Sequence, residues 1–276
     1  IPLCLVGSEM CIRDRIDVED SSEFGDSLVI SCFPSEGFVS SIVAHFLVDR
    51  LGLELVGGIR HSRLPPVCLV QDGSPLPPIR LYSGVPICNV EKCDKVVLIA
   101  SEIQISPDLK LPIASEVLDW MDQKEAGMAI MIDSYAHGEG QKHSIFDEDK
   151  SPDTVVGIGS TEKTKEILEG IGANLLKQGV VGGMTGVMLG ESRRRKVDSL
   201  AIIAESGGEF SGGGIPDARA AARIIECLDG LLPAVKLDPE PLMEEAKRIE
   251  GQIREMMAMH LNSEQDVVSA PSTMYG

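Results

Sequence analysis

A chain of 276 residues with 43% apolar and 25% charged residues has material for one large α/β domain or two small ones. Its net charge of −18 argues against nucleic acid, whose phosphates are met by Lys and Arg, and against anionic membrane surfaces. Aromatics are only 4%, so Val, Ile, Leu, Ala and Met must build the core, and no apolar run approaches the ~18–20 residues of a membrane span.

The seven cysteines are an odd number without framework spacing. Cys88 and Cys93 (CNVEKC) match neither a CxxC redox pair nor a familiar zinc knuckle. Reduced thiols and a cytoplasmic location are the expectation.

Residues 1–15, IPLCLVGSEMCIRDR, stand apart. There is no initiating Met, and the apolar run Ile1–Gly7 has no basic stretch before it, so it does not read as a signal peptide. The string LCLVGSEMCIRDR resembles translated sequencing-adapter read-through and is expected to contribute nothing to the fold. The domain is expected to span residues 16–237.

From there short apolar runs alternate with helical patterns. SLVISCF (Ser27–Phe33) predicts a buried strand between Asp26 and Pro34. Gly37–Leu51 predicts a helix with Phe38, Ile42, Phe46 and Leu47 on one face and Gly52 as its stop. LELVGGI, PPVCLVQDG and IRLYSG read as three strand-like pieces punctuated by Pro and Gly. Lys95–Ser101 (KVVLIAS) predicts another buried strand, and Pro112–Glu125 an amphipathic helix through Ile113, Val117, Leu118 and Met121.

The second half repeats the rhythm. Met128–Tyr135 predicts a strand, residues 136–153 an acidic loop, and Thr154–Ser160 a strand leading into a helix capped by Ser160 or Thr161 and ending near Gly172. Gly183–Lys196 predicts a Gly-opened helix, Ser199–Ser206 a strand, and Pro216–Leu232 a helix with Ala221, Ile224, Ile225, Leu228 and Leu232 on one stripe. Strands alternating with helices predict an α/β fold with a largely parallel sheet covered on both faces. A last helix is expected over residues 238–260, opened by Asp238 and Pro239. Its residues Leu242, Ala246, Ile249, Ile253, Met256 and His260 have coiled-coil-like spacing. That seam reads either as packing on its own domain or as a self-association surface, with Leu242, Ile249, Ile253 and Met256 as the contact candidates. Residues 261–276 read as a flexible polar tail.

Features that invite an enzymatic reading are thin. GIGSTEK (Gly157–Lys163) and GVVGGMTG (Gly179–Gly186) place glycines before helices, as phosphate-binding turns do. The first has neither GxGxxG nor GxxxxGK[ST] spacing, and tight strand–helix packing explains both without a ligand. His137, Glu139 and His143 are spaced H-x-E-x3-H, which is not HExxH, and a solvated acidic loop is the plainer reading. Ser192 and Ser206 sit in GESR and AESGG, away from any GxSxG elbow, and Cys32 reads as a small buried hydrophobe. No catalytic residue, cofactor or metal site is expected.

The order of segments from Leu28 to Leu232 resembles the proteasome assembly chaperone family, in its type-two branch with many archaeal members. The residues that carry the resemblance are LPPVCLVQDG (Leu64–Gly73), GGMTGVMLGES (Gly182–Ser192), SLAIIAESGG (Ser199–Gly208) and IPDARAAARIIECLDGLL (Ile215–Leu232). The resemblance implies a three-layer α/β/α sandwich, phosphorylase-like in shape but without that catalytic site, followed here by a C-terminal helix and a flexible tail. It implies self-association and ATP-independent binding to proteasome α subunits.

Some archaeal members end in a hydrophobic–tyrosine–any motif, and this chain ends Met274-Tyr275-Gly276. The resemblance therefore implies docking of these three residues between neighbouring α subunits. An aromatic hydroxyl, a flexible thioether and a free carboxylate suit a half-polar pocket. The acidic stretch Gly138–Asp153 and the long last helix depart from the family pattern. The alternative reading is a small-molecule binder or enzyme, taking phosphate or a nucleoside in a cleft near Gly157, Gly159, Gly183 and His137.

Overall fold

The computed structural model describes residues 15–18, 24–71, 73–85, 95–136, 155–206, 216–232 and 237–244. In chain order its first elements are β1 (Arg15–Val18), β2 (Leu28–Cys32), α1 (Val39–Leu51), β3 (Glu54–Arg60), β4 (Leu69–Gln71), β5 (Ser74–Leu76), β6 (Ile79–Gly84) and β7 (Val96–Ser101). Then follow α2 (Pro107–Gln123), β8 (Met128–Ala136), β9 (Val155–Gly159), α3 (Glu162–Gly170), β10 (Asn174–Leu175), α4 (Gly183–Arg195), β11 (Ser199–Ser206) and α5 (Ala218–Asp229).

One nine-stranded sheet takes the order β1-β3-β6-β7-β2-β8-β11-β9-β10. Its centre, β7-β2-β8-β11, is parallel, with Ile30 opposite both Leu98 and Ile130. Parallel strands need crossovers, and the crossovers put helices on both faces, so these strands must be apolar on both sides. That is why they read as unbroken runs. The flank β1-β3-β6-β7 is antiparallel, as is the pairing of β9 with β11.

Parity along the central strands sorts the core. Leu28, Ile30 and Cys32, with Leu98, Ile130 and Ile202, face α1 and α5. Val29, Val97, Ile99, Ala129, Met131 and Ala201 face α2 and α4. A one-residue slip would exchange the two sets. Each fully buried aliphatic side chain contributes roughly 1.5–3 kcal/mol over its exposed state.

The α/β/α sandwich expected from the sequence is the one observed. Three local differences have physical reasons. The helix expected from Pro112 begins at Pro107, so Pro112 lies inside α2. The hydrogen bond lost at Pro112 is offset by burial of Leu109, Ile113 and Ala114 around it. The strand expected from PPVCLVQDG shrinks to β4, which pairs only with β5 in a two-stranded ribbon outside the main sheet. Prolines 65, 66, 77 and 78 bracket that ribbon and Pro75 lies within β5, and none of them can donate to a ladder. The first edge strand starts at Arg15, one residue inside the segment set aside on sequence grounds, and pairs its backbone with Arg60.

The entry to α1 also departs from a simple helix start. Glu36–Phe38 form a 3-10 turn in which Gly37 and Phe38 have φ of 59° and 52°. A Cβ on Gly37 would lie 2.2 Å from the Ser206 hydroxyl and 2.9 Å from Asp217 Cβ, so only glycine fits. Beyond α5, the chain turns helical again at residues 240–244, with the Leu242 amide donating to the Pro239 carbonyl at 3.0 Å. Leu237 is buried and Leu242 half-buried, both against the α1/α5 side of the core.

Candidate functional site

Because β2, β7, β8 and β11 run parallel, their carboxyl ends share one edge of the sheet, where α/β proteins hold ligands. An open cleft of about 580 Å3 lies at that edge. Phe33 to Phe38 follow β2, Glu102 and Gln104 follow β7, and Asp133 to Tyr135 close β8. The opposite wall is Val180 to Thr185, the loop that opens α4. Phe38 and Val180 stand 50% and 79% exposed, large apolar groups left in water.

Hydroxyls fasten this rim. Ser134 Oγ donates to the Glu36 carbonyl at 2.6 Å, and Ser40 Oγ to the Ile132 carbonyl at 2.8 Å. The 3-10 turn is thereby tied to β8 while α1 stays seated on the sheet.

Two carboxylates in the lining have opposite environments. Asp133 accepts the Ser134 amide at 2.8 Å and the Thr185 hydroxyl, beside the amino end of α4. Burial pushes its carboxyl up, against the pull of those two donors, and the nearby charge of Glu36 pushes the same way. Glu102 is also half-buried, which by itself would raise its pKa. Hydrogen bonds from His45 and Arg80 override burial and bring it to about 2. Arg80 is 2% exposed, donates to Glu102, and holds the Tyr82 hydroxyl with its Nε at 2.9 Å. Glu102 and Arg80 thus form one nearly neutral unit, with His45 Nε2 at 3.4 Å. Burial also raises the Tyr135 phenol, whose oxygen lies 3.3 Å from Glu205.

Of the described residues named for the small-molecule reading, only Gly183 reaches this cleft. It opens α4 with a φ of 69° and has open space where a Cβ would stand. Gly157 and Gly159 serve packing: a Cβ there would meet Leu168 at 2.7 Å and the Thr164 hydroxyl at 2.8 Å. These two glycines of β9 let α3 lie close on its strand. His137, Glu139 and His143 lie outside the described residues, as do Cys88 and Cys93.

Ser192 is buried and accepts the Ser199 hydroxyl at 2.8 Å, while Ser206 packs on Gly37. Cys32 is buried, and burial pushes its thiol well up, the setting of a structural thiol. Among the described residues no group of His, Cys, Asp and Glu could hold a metal, and no helix is long and apolar enough to cross a membrane. Met274, Tyr275 and Gly276 lie outside the described residues, together with Ile249, Ile253 and Met256. Leu242 is described, on its own domain's core.

Sequence reasoning did not single out Asp133 or Glu102. A signal was present: each is an acid at the carboxyl end of an apolar strand, MAIMID and VVLIASE.

Comparison with known proteins gives a consistent result. The PAC2 family matches residues 29–257. An uncharacterized protein of Methanocaldococcus jannaschii is 26% identical over 239 residues, covering 87% of this chain and 89% of that one. The crystal structure of Pyrococcus furiosus PbaA, described as an archaeal homolog of proteasome-assembly chaperone, aligns with a TM-score of 0.76 and 28% identity. The alignment covers 96% of this chain and all of PbaA (100%). Pyrococcus furiosus PbaB, an archaeal proteasome activator, aligns with a TM-score of 0.70 over 89% of this chain and 99% of its own. At 19% identity that likeness bears on the fold alone.

Proposed function

The chain belongs to the PAC2 family, and we propose that it acts on the proteasome ring as an ATP-independent assembly chaperone or activator rather than as an enzyme. The observation that carries this reading is the likeness to PbaA, which runs through 96% of the chain at 28% identity. Its partners are the α subunits of the ring and further copies of itself, met in the cytoplasm. Docking resides in Met274, Tyr275 and Gly276: the tyrosine ring and the thioether enter a half-polar pocket. Self-association uses Ile249, Ile253 and Met256, with Leu242 at the start of the seam.

Residues 261–276 add reach. Extended, these sixteen residues span at most about 53–58 Å. Several copies in an oligomer then engage several pockets of one ring, and weak contacts sum to strong binding.

The test is the affinity of the chain for α rings by biolayer interferometry at fixed salt. Deletion of the last three residues, or Tyr275→Ala alone, should weaken binding by well over tenfold, because every copy in the oligomer loses its contact. Unchanged affinity on deletion would move the contact to the folded body. No binding by the full chain would overturn the reading itself.

A further inference from the structure

The cleft at the carboxyl edge of the sheet has a charge pattern that selects among ligands. Its described lining contains Glu36, Glu102 and Asp133 but no Lys, Arg or His. Glu102 is paired with Arg80, leaving Asp133 and Glu36 as negative charges that repel one another, with no cation in the described lining to offset them. Lys110 of α2, whose charge acts on Asp133, does not line the cleft.

Among the described residues an anion finds no seat here. The amino end of α4 is the one place where backbone amides and the helix dipole would favour phosphate. Asp133 already stands at it, holding the Thr185 hydroxyl. A phosphate would meet a carboxylate where it needs a donor.

Around these acids the walls are apolar: Phe38 and Val180 at the mouth, Val181 and Met184 deeper in. A volume of about 580 Å3 is the size of a small-molecule site. Among the described residues the cavity therefore pairs two acceptor groups, with no cation in the lining beside them, with an apolar surface left open to solvent.

We propose that this cleft binds an organic cation, an ammonium or guanidinium group on an aliphatic stem, with its head between Asp133 and Glu36 and its stem against Phe38, Val181 and Met184. The head supplies donors to carboxylates that only accept, and the stem covers the exposed ring and methyls. This goes beyond action on the proteasome ring and does not depend on it.

The full chain, with its Met, Ile and Val methyl groups carbon-13 labelled, would be titrated at fixed salt with spermidine, with N-acetyl-lysine methylamide and with inorganic phosphate. Spermidine should shift the Met184, Val181 and Ile203 signals saturably and leave Ile130 and Ile224, on the other face, unmoved. Asp133→Asn keeps the shape and an amide oxygen to accept the Ser134 amide, and should weaken binding by about tenfold or more. Glu169→Gln, an exposed charge on α3, should leave it unchanged.

If the lysine derivative binds as well as spermidine, the natural source is a basic side chain of a polypeptide. If spermidine alone binds, it is a free polyamine. Overturning results are no shift with either amine, saturable shifts with phosphate, or shifts scattered over the acidic surface. Equal binding by Asp133→Asn would overturn the proposal as well.

Discussion

The two faces of the sheet are built from the same strands by parity, yet they solve different problems. The α2/α4 face is almost wholly apolar, from Val29, Val97, Ala129 and Met131 across to Met188 and Leu189. The α1/α5 face carries an ion pair inside it, Arg80 with Glu102, and receives Leu237 and Leu242 from the chain beyond α5. An apolar face needs only volume and pattern. A face with a buried guanidinium needs every partner in place, because an uncompensated buried charge is costly. Substitutions should therefore be unequal across the sheet, with the largest losses where charge is enclosed.

Arg80→Leu is the strongest way to break that asymmetry. It leaves Glu102 with only His45, which is largely in solvent, and should lower stability by about 3 kcal/mol in urea unfolding. The double change Arg80→Leu with Glu102→Leu should recover most of the loss, since no charge is then stranded. The pair also has an acid signature. The Glu102 carboxyl is depressed from 4.5 to about 2, so its stabilisation is complete above the ordinary carboxylate value and lost as pH falls towards the folded one. Melting temperature should fall more steeply below pH ~4.5 in the native chain than in Glu102→Gln. Parallel acid limbs would mean that the pair contributes nothing.

Gly37→Ala tests where the α1/α5 face meets the cleft. The new methyl would sit 2.2 Å from the Ser206 hydroxyl on a backbone with φ of 59°. The turn must shift, and with it the Asp217 amide that donates to the Gly37 carbonyl at 2.8 Å. A loss of about 1–3 kcal/mol is expected. The same substitution at Gly52, where φ is 60° but nothing lies within 4 Å, should cost less. Equal costs would put the penalty in φ alone.

The same contrast explains what was legible in the sequence. The central strands were plain because burial on both faces leaves unbroken runs such as VVLIAS. The stripe on α5 was plain because Ala221, Ile224, Ile225 and Leu228 keep helical spacing. The β4–β5 ribbon was overread because its Val67 and Val70 are apolar yet exposed, so hydropathy gave no hint that they lie outside the sheet. The start of α2 was missed because Pro112 reads as a boundary, and only tertiary burial keeps it inside. For the cleft, the glycines of Gly179–Gly186 were noticed and its acids were not. Strand pattern places Asp133 at an edge, but only the sheet order brings it beside Glu36, 97 positions earlier in the chain, and the opening of α4.

Leu242→Ala gives the smallest effect and the sharpest distinction. Half of this side chain is already in contact with the α1/α5 core, so truncation removes about 1 kcal/mol of packing, below the 2–5 of a fully buried leucine. For a domain of this size that is roughly 2–4 °C in Tm. A contact within one chain does not depend on how much protein is present, whereas an interface does, by mass action. Melting should therefore fall by the same amount at low and high protein concentration, with the mass by light scattering unchanged. Ile253→Asp, further along the proposed seam, should behave the opposite way, reducing the particle mass while leaving each folded domain's melting little altered. If Leu242→Ala instead gave smaller particles and a loss that grew on dilution, the seam would begin at Leu242 and the last helix would belong to the oligomer from its first turn.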